Sequence, residues 1–130
     1  MVCPYCHSPT QVSNSRKQSR TYGVWRRRNC TTCNAVFTSE EFYNFESIWR
    51  VRDSSGKLTS FSRDKLFLSI LASLSHRPDN VESATSLTAT AIKSLIDLKS
   101  VVLKKEDIKN SVHSILKRFD AFSAEYYRNY

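Results

Sequence analysis

Glycine is nearly absent from this chain: two among 130 residues, Gly23 and Gly56, with three prolines and one methionine. Two isolated glycines exclude a Gly-rich phosphate loop of the usual NTPase or dinucleotide-binding kind, because those loops need several positions free of a Cβ. No run of about 18 apolar residues is present to cross a bilayer, and the N-terminus lacks a basic stretch followed by an apolar one. The expectation is a cytoplasmic protein with no membrane partner. Acidic residues are missing altogether from residues 1–33. His7, His76 and His113 are far apart in sequence and make no pattern like that of a catalytic triad, so no enzyme activity is expected.

What is present is concentrated at the N-terminus. All four cysteines fall in two Cys-x-x-Cys pairs, Cys3-Pro4-Tyr5-Cys6 and Cys30-Thr31-Thr32-Cys33. Two such pairs bring four thiolates to one tetrahedral ion, and in a reducing compartment metal is favoured over disulfides. Two disulfides in a secreted domain and redox chemistry at one pair are the competing readings. The second fails for want of a βαβ pattern around either pair. A closed set of four thiolates leaves no open position for substrate, so the expected Zn2+ is structural. A module of this size buries too little apolar surface to fold unaided.

Between the pairs lie Arg16, Lys17, Arg20, Arg26, Arg27 and Arg28, so six of the eight net positive charges sit in the first 33 residues. A solvated charged face is the bland alternative. Clustering with no compensating acid marks a phosphate-backbone partner instead. Thr10–Ser13 and Thr21–Arg28 read as two strands, joined by a loop over Asn14–Arg20, with a third at Ala35–Thr38. Gly23 marks a bulge or a close backbone approach. On a strand Arg26 and Arg28 share a face, and Trp25 lies with Arg27 on the other.

The rest of the chain reads as α+β, mainly helical after a short hairpin. Ser47–Arg52 and Lys57–Ser60 flank the turn residues Asp53–Gly56. Apolar residues at helical spacing follow: Leu66, Phe67, Ile70, Leu71 and Leu74, with Ser62 as N-cap and Pro78 as the stop. A second stripe runs Val81, Ala84, Thr88, Ala91, Ile92, Leu95 and Leu98; a third Ile108, Val112, Ile115, Leu116 and Phe119; a fourth Phe122, Tyr126, Tyr127 and Tyr130. Val101–Leu103 is a candidate third strand. The expected division is 1–46 and 47–130. Arg52 at a strand end and Lys65 in the first turn of a helix are placed to reach phosphates, with that helix's first amides adding positive charge; ordinary surface charge is the plainer reading of both.

The order Cys-Pro-Tyr-Cys (3–6), Asn14-Ser15-Arg16, Trp25-Arg26-Arg27-Arg28-Asn29-Cys30, Cys33-Asn34 and Phe37-Thr38-Ser39 resembles the NrdR family, bacterial repressors of ribonucleotide reductase genes. The likeness continues through Val51-Arg52-Asp53, Phe61-Ser62-Arg63-Asp64-Lys65-Leu66 and Arg77-Pro78, which are similar to that family's nucleotide-binding ATP-cone. The resemblance implies a zinc ribbon over 1–46, with Arg16, Lys17, Arg20, Arg26, Arg27 and Arg28 on double-stranded operator DNA. It implies an ATP-cone over 47–130 that binds ATP and dATP through Val51, Arg52, Lys65, Leu66 and Tyr127, with Arg50 as the alternative to Arg52. The nucleotide would select among homo-oligomers and so control DNA affinity. Two other functions compete: a zinc-ribbon adaptor for RNA or protein, and a detached ATP-cone regulatory subunit of a reductase.

Overall fold

A computed structural model describes residues 1–19 and 22–129, so the predicted contact Arg20, the strand start Thr21 and the terminal Tyr130 lie outside the described residues. Residues Met1–Tyr43 and Asn44–Tyr130 form two compact units.

The first unit is a three-stranded antiparallel sheet in the order β1 (Thr10–Gln18), β2 (Gly23–Cys30), β3 (Val36–Glu41). β1 runs through most of what the sequence suggests is a loop. The reason is pairing: Asn14 opposes Arg27, Ser15 opposes Arg26, Arg16 opposes Trp25 and Lys17 opposes Val24. Polar residues with little strand preference of their own are held by the ladder to β2. The register slips by one residue between Val12 and Asn14, leaving Ser13 as a β-bulge whose hydroxyl donates to the Arg27 carbonyl at 3.3 Å. β3 runs on to Glu41, three residues beyond its expected end. Gly23 is a close approach and not the bulge: a Cβ there would lie 2.5 Å from the Phe42 ring and 3.0 Å from the Glu41 carbonyl oxygen.

The second unit begins with a single 3-10 turn at Phe45–Ser47 where the sequence suggests the start of a strand, and only Arg50–Arg52 forms β4. Trp49 explains the change. It is 4 % exposed, stacked on Phe45 at 4.0 Å and edge-on to Phe61 at 5.1 Å, an aromatic packing that an extended backbone through Ser47 would break. Asp53 closes the next turn by accepting from the Ser55 and Lys57 amides, and Gly56 takes the positive φ of 87° that the turn requires. β5 (Leu58–Ser60) returns antiparallel to β4, and β6 (Val102–Lys104) lies parallel on its other side.

Four helices pack on one another: α1 (Arg63–Ser73), α2 (Asn80–Ile96), α3 (Lys105–Phe119) and α4 (Ala121–Arg128). Ser62 caps α1 by accepting from the Lys65 amide at 3.2 Å. Ala84, Thr88 and Ala91 are fully buried on α2, where small side chains let neighbouring helices close in. Its Ser and Thr content is accommodated because Thr85, Thr88 and Thr90 return their hydroxyls to carbonyls one turn back. The core joins Trp49, Phe61, Leu66, Ile70, Leu74, Leu87, Leu95, Leu103, Val112, Leu116 and Tyr127. Val81 and Leu98, expected in the stripe of α2, are exposed, as are Phe119 on α3 and Phe122 and Tyr126 on α4; α4 buries Ser123, Ala124 and Tyr127 instead.

The loop after α1 is tied to the start of α4. Asp120 caps α4 by accepting from the Phe122 and Ser123 amides, and its other oxygen meets His76 Nε2 at 2.9 Å and Arg77 Nη1 at 3.4 Å. The His76 ring and these donors hold the Asp120 carboxyl down to about 2, against partial desolvation. A carboxyl lowered in the fold contributes stability above its unfolded value of about 3.9 and loses it as pH falls through the folded one. Acid unfolding followed by circular dichroism should therefore show stability falling between about pH 4 and pH 2, with Asp120→Asn flattening that segment.

Candidate metal centre and nucleic-acid interface

Two similar turns carry the cysteines. In the first, the Cys3 amide donates to the Ser8 carbonyl at 2.8 Å and the His7 amide to the Cys3 carbonyl at 2.9 Å. In the second, the Cys30 amide donates to Ala35 at 2.9 Å and the Asn34 amide to Cys30 at 3.0 Å. The residue after each second cysteine takes a positive φ, 61° at His7 and 59° at Asn34. The repeated geometry turns both sulfurs of each pair to one point.

All four Sγ atoms lie within 4.8 Å of one another, with Cys3–Cys33 at 3.6 Å and Cys6–Cys30 at 3.5 Å. A tetrahedral ion with metal–sulfur bonds of about 2.3 Å requires sulfur–sulfur edges of about 3.8 Å, whereas a disulfide requires about 2 Å. The cysteines are free thiols at metal-binding separation, and the donor set fits Zn2+. Hydrogen bonds from Ser8, side chain and backbone, and from Cys30 draw the Cys6 thiol down to about 6. The Ala35 amide favours the Cys33 thiolate, yet desolvation and the other three cysteines push that thiol up to about 12. Four thiolates at this spacing repel, and a bound cation is what lets all four ionise together. His7 stands outside the cluster.

The sheet sorts the cations between its faces. Paired residues share a face and neighbours alternate, so Arg26 and Arg28 lie with Val12, Ser15, Lys17, Phe37, Ser39 and Glu41. Arg27 lies with Asn14, Arg16, Trp25, Thr38 and Glu40. Arg26 is ion-paired to Glu41 at 2.8 Å, and Arg28 donates to Ser39 Oγ at 2.9 Å and Thr10 Oγ1 at 3.5 Å. Arg16, Lys17 and Arg27 are exposed. Beyond the all-basic stretch 1–33, β3 thus returns two acids to the cationic ribbon, a compensation visible only once its register with β2 is known.

In the second unit Arg52 and Lys65 are exposed and Val51 is half-buried. Leu66 and Tyr127 differ from expectation: at 6 % and 5 % exposure their side chains belong to the core, where Tyr127 Oη lies 3.4 Å from Ser69 Oγ. The first turn of α1 is also less open than its position suggests, because the Arg63 amide donates to Glu46 Oε1 at 3.1 Å and the Lys65 amide to Ser62. Arg50 is engaged with Ser60 Oγ and the Trp49 carbonyl, leaving Arg52 the more available of the two. A cation that sequence reasoning missed is Lys104, which the parallel register of β4 and β6 sets beside Arg52. A groove of about 430 Å³ between α2 and α3, lined by Thr90, Ser94, Asn110, Ser111 and Arg118 among others, includes none of the five expected nucleotide contacts.

The profile of a zinc-ribbon family described as "Transcriptional repressor NrdR-like, N-terminal domain" matches residues 1–41, the segment that holds the four thiols and the three strands. Among curated proteins, the "Transcriptional repressor NrdR" of Phenylobacterium zucineum is 34 % identical across 92 % of this chain and 77 % of its own length. Its namesakes from Azorhizobium caulinodans and Ruegeria pomeroyi are 33 % and 30 % identical across the whole of this chain, and across 78 % and 86 % of their own. These relatives are named as regulators of transcription and not as enzymes. With likeness along its full length and a four-thiol ribbon at its N-terminus, the chain belongs to the NrdR family of transcriptional repressors.

Proposed function

We propose that this protein is a nucleotide-sensing repressor of ribonucleotide reductase genes, acting in the cytoplasm on double-stranded operator DNA. In this reading residues 1–46 are the DNA-binding zinc ribbon and residues 47–130 an ATP-cone. The observation that carries it is the ribbon itself: Arg16, Lys17 and Arg27 stand exposed on a sheet anchored at one end by the four-thiol centre. A rigid cationic ribbon suits a phosphate backbone.

For the second unit the reading is that Arg52, Lys65 and the added Lys104 receive the phosphates of ATP or dATP. A phosphate reaching the α1 amides would have to displace the Glu46 carboxylate from Arg63. Binding would then alter assembly only through contacts that differ between homo-oligomers.

The test joins two measurements on the zinc-loaded chain. Native mass analysis in ATP and then in dATP is expected to show different oligomers. Gel-shift with reductase promoter DNA is expected to show retention that depends on which nucleotide is present. An unchanged assembly in both nucleotides would remove the sensing role, and no retention in any nucleotide state would remove the repressor role. An RNA or protein adaptor predicts no saturable dATP binding, and a detached reductase subunit predicts dATP binding without DNA retention.

A further inference from the structure

We infer that the ribbon reads base edges with one face only, through Arg27, Asn14 and Arg16, while Arg26 and Arg28 on the opposite face are internal clamps that hold the three strands together. The inference rests on the DNA-binding reading above and deepens it by dividing Arg16, Arg26, Arg27 and Arg28, four of the six predicted cations, between two tasks.

Three observations carry it. The first is burial. Along β2, Arg26 and Arg28 are half-buried while Arg27 and Asn29 are exposed; along β3, Phe37 and Ser39 are half-buried while Val36 and Thr38 are exposed. At these positions Arg26, Arg28, Phe37 and Ser39 shield one another while Arg27 and Thr38 stand open, although Trp25 on the face of Arg27 is half-buried and Val12, Ser15 and Lys17 on the other face are exposed.

The second is commitment. Arg26 spends its charge on Glu41 and Arg28 bonds to Ser39 and Thr10, contacts that tie β2 to β3 on one side and to the residue opening β1 on the other. A guanidinium reads a guanine edge with two parallel donors, and one already engaged must first surrender its partner. Arg16 and Arg27 make no side-chain hydrogen bond or ion pair among the described residues.

The third is the bulge. By adding Ser13 to β1, it shifts Asn14 and Arg16 from the face of Arg26 to the face of Arg27. Asn14 then stands directly opposite Arg27, with Arg16 one pleat further on. Asn14 Oδ1 accepts the Ser15 amide at 2.8 Å, which steadies the side chain and leaves its amide donors and a second lone pair for a base edge. Arginine and asparagine are the side chains that pair bidentately with guanine and adenine in the major groove. Glu40, on the same face beside Trp25 and bonded by Gln18 Nε2 at 3.3 Å, repels phosphate at the end remote from the cysteines, so the duplex lies toward the middle of the sheet.

The experiment uses the full zinc-loaded chain and a duplex of roughly 30 base pairs, about three turns of the double helix, selected by the wild-type protein from a randomised pool, with poly(dI-dC) as the unselected competitor. Anisotropy titrations at several salt concentrations give the slope of log affinity against log salt. Arg16→Gln and Arg27→Gln should each weaken binding to the selected duplex and cut its preference over poly(dI-dC) about tenfold or more, the mark of a lost base-edge contact and not of a lost phosphate contact. Asn14→Ala should keep the slope but cut preference for the selected duplex over poly(dI-dC) about tenfold. Arg26→Gln and Arg28→Gln should keep the slope and surrender zinc to a chromophoric chelator faster than wild type. Lost preference for the selected duplex or a slope lowered by about one in either of those two, with zinc retained, overturns the assignment of faces, as does an unchanged preference in Arg27→Gln. Should the wild-type chain enrich no duplex at all, the DNA-binding reading itself falls.

Discussion

Stripping the metal with a strong chelator, or replacing Cys30 by Ser, is expected to unfold residues 1–43 and to leave residues 44–130 folded. The reason lies in where apolar surface is buried. Among the described residues of the ribbon the buried apolar ones are Cys3 and Cys30, themselves members of the four-thiol set, whereas the hydrophobic core from Trp49 to Tyr127 belongs to the second unit. Ordering each backbone residue costs roughly 1–2 kcal/mol, and a ribbon with both faces largely in water regains little of that from burial. A structural zinc ion supplies an apparent 10–16 kcal/mol or so at neutral pH, enough to decide whether such a unit folds. Backbone amide spectra should lose dispersion for residues 1–43 alone, the thermal transition of the second unit should survive, and DNA retention should vanish. Dispersed ribbon signals at less than about one-tenth equivalent of metal would sink this account, because they would show a fold that stands without its central ion.

Trp49→Ala should be the most damaging single truncation in the second unit, with a loss of about 3–5 kcal/mol. Trp49 lies between Phe45 and Phe61 at the entrance to β4, and its carbonyl accepts from the Phe61 amide at 3.3 Å and from Arg50 Nη1 at 3.4 Å. Removing the indole opens a cavity that the two flanking rings cannot fill without pulling the 3-10 turn off the core. Since each kcal/mol shifts the midpoint of a domain of this size by roughly 4–8 °C, the expected drop is about 15–30 °C. Thermal and urea denaturation followed by circular dichroism measure the midpoint and the free energy, with Phe122→Ala as the comparison: that ring is 65 % exposed and should cost about 1 kcal/mol or less. A loss in Trp49→Ala no larger than in Phe122→Ala would show that the aromatic cluster is not part of the core that holds the unit.

Much of this protein is determined locally, and those parts are legible in the chain. Cys-x-x-Cys spacing, read with the composition around it, is a property of a few consecutive residues, and the four thiols meet at metal distance. Helical periodicity is likewise local, so the four helices, the Ser62 cap and the stop before Pro78 follow from stretches of some fifteen residues. The likeness to NrdR proteins also lies in the linear order of residues.

What pairing across the chain decided was out of reach. Nothing in the order Thr10–Gln18 announces that Ser13 is an extra residue, yet that one insertion sets the face on which Asn14 and Arg16 stand. Glu40 and Glu41 lie well beyond the last arginine in sequence, and only the β2–β3 register brings Glu41 onto Arg26 and separates a committed guanidinium from the free one at Arg27. Leu66 and Tyr127 look available in an exposed first turn and an aromatic tail; closure of α1 and α4 over the core buries both, while the parallel pairing of β4 with β6 puts Lys104 beside Arg52. Short-range pattern sets which elements form, because propensity, capping and ligand spacing act within a turn or two. The availability of each charge and aromatic ring depends on partners tens of residues away, and those are chosen only when the sheet register and the helix packing are complete.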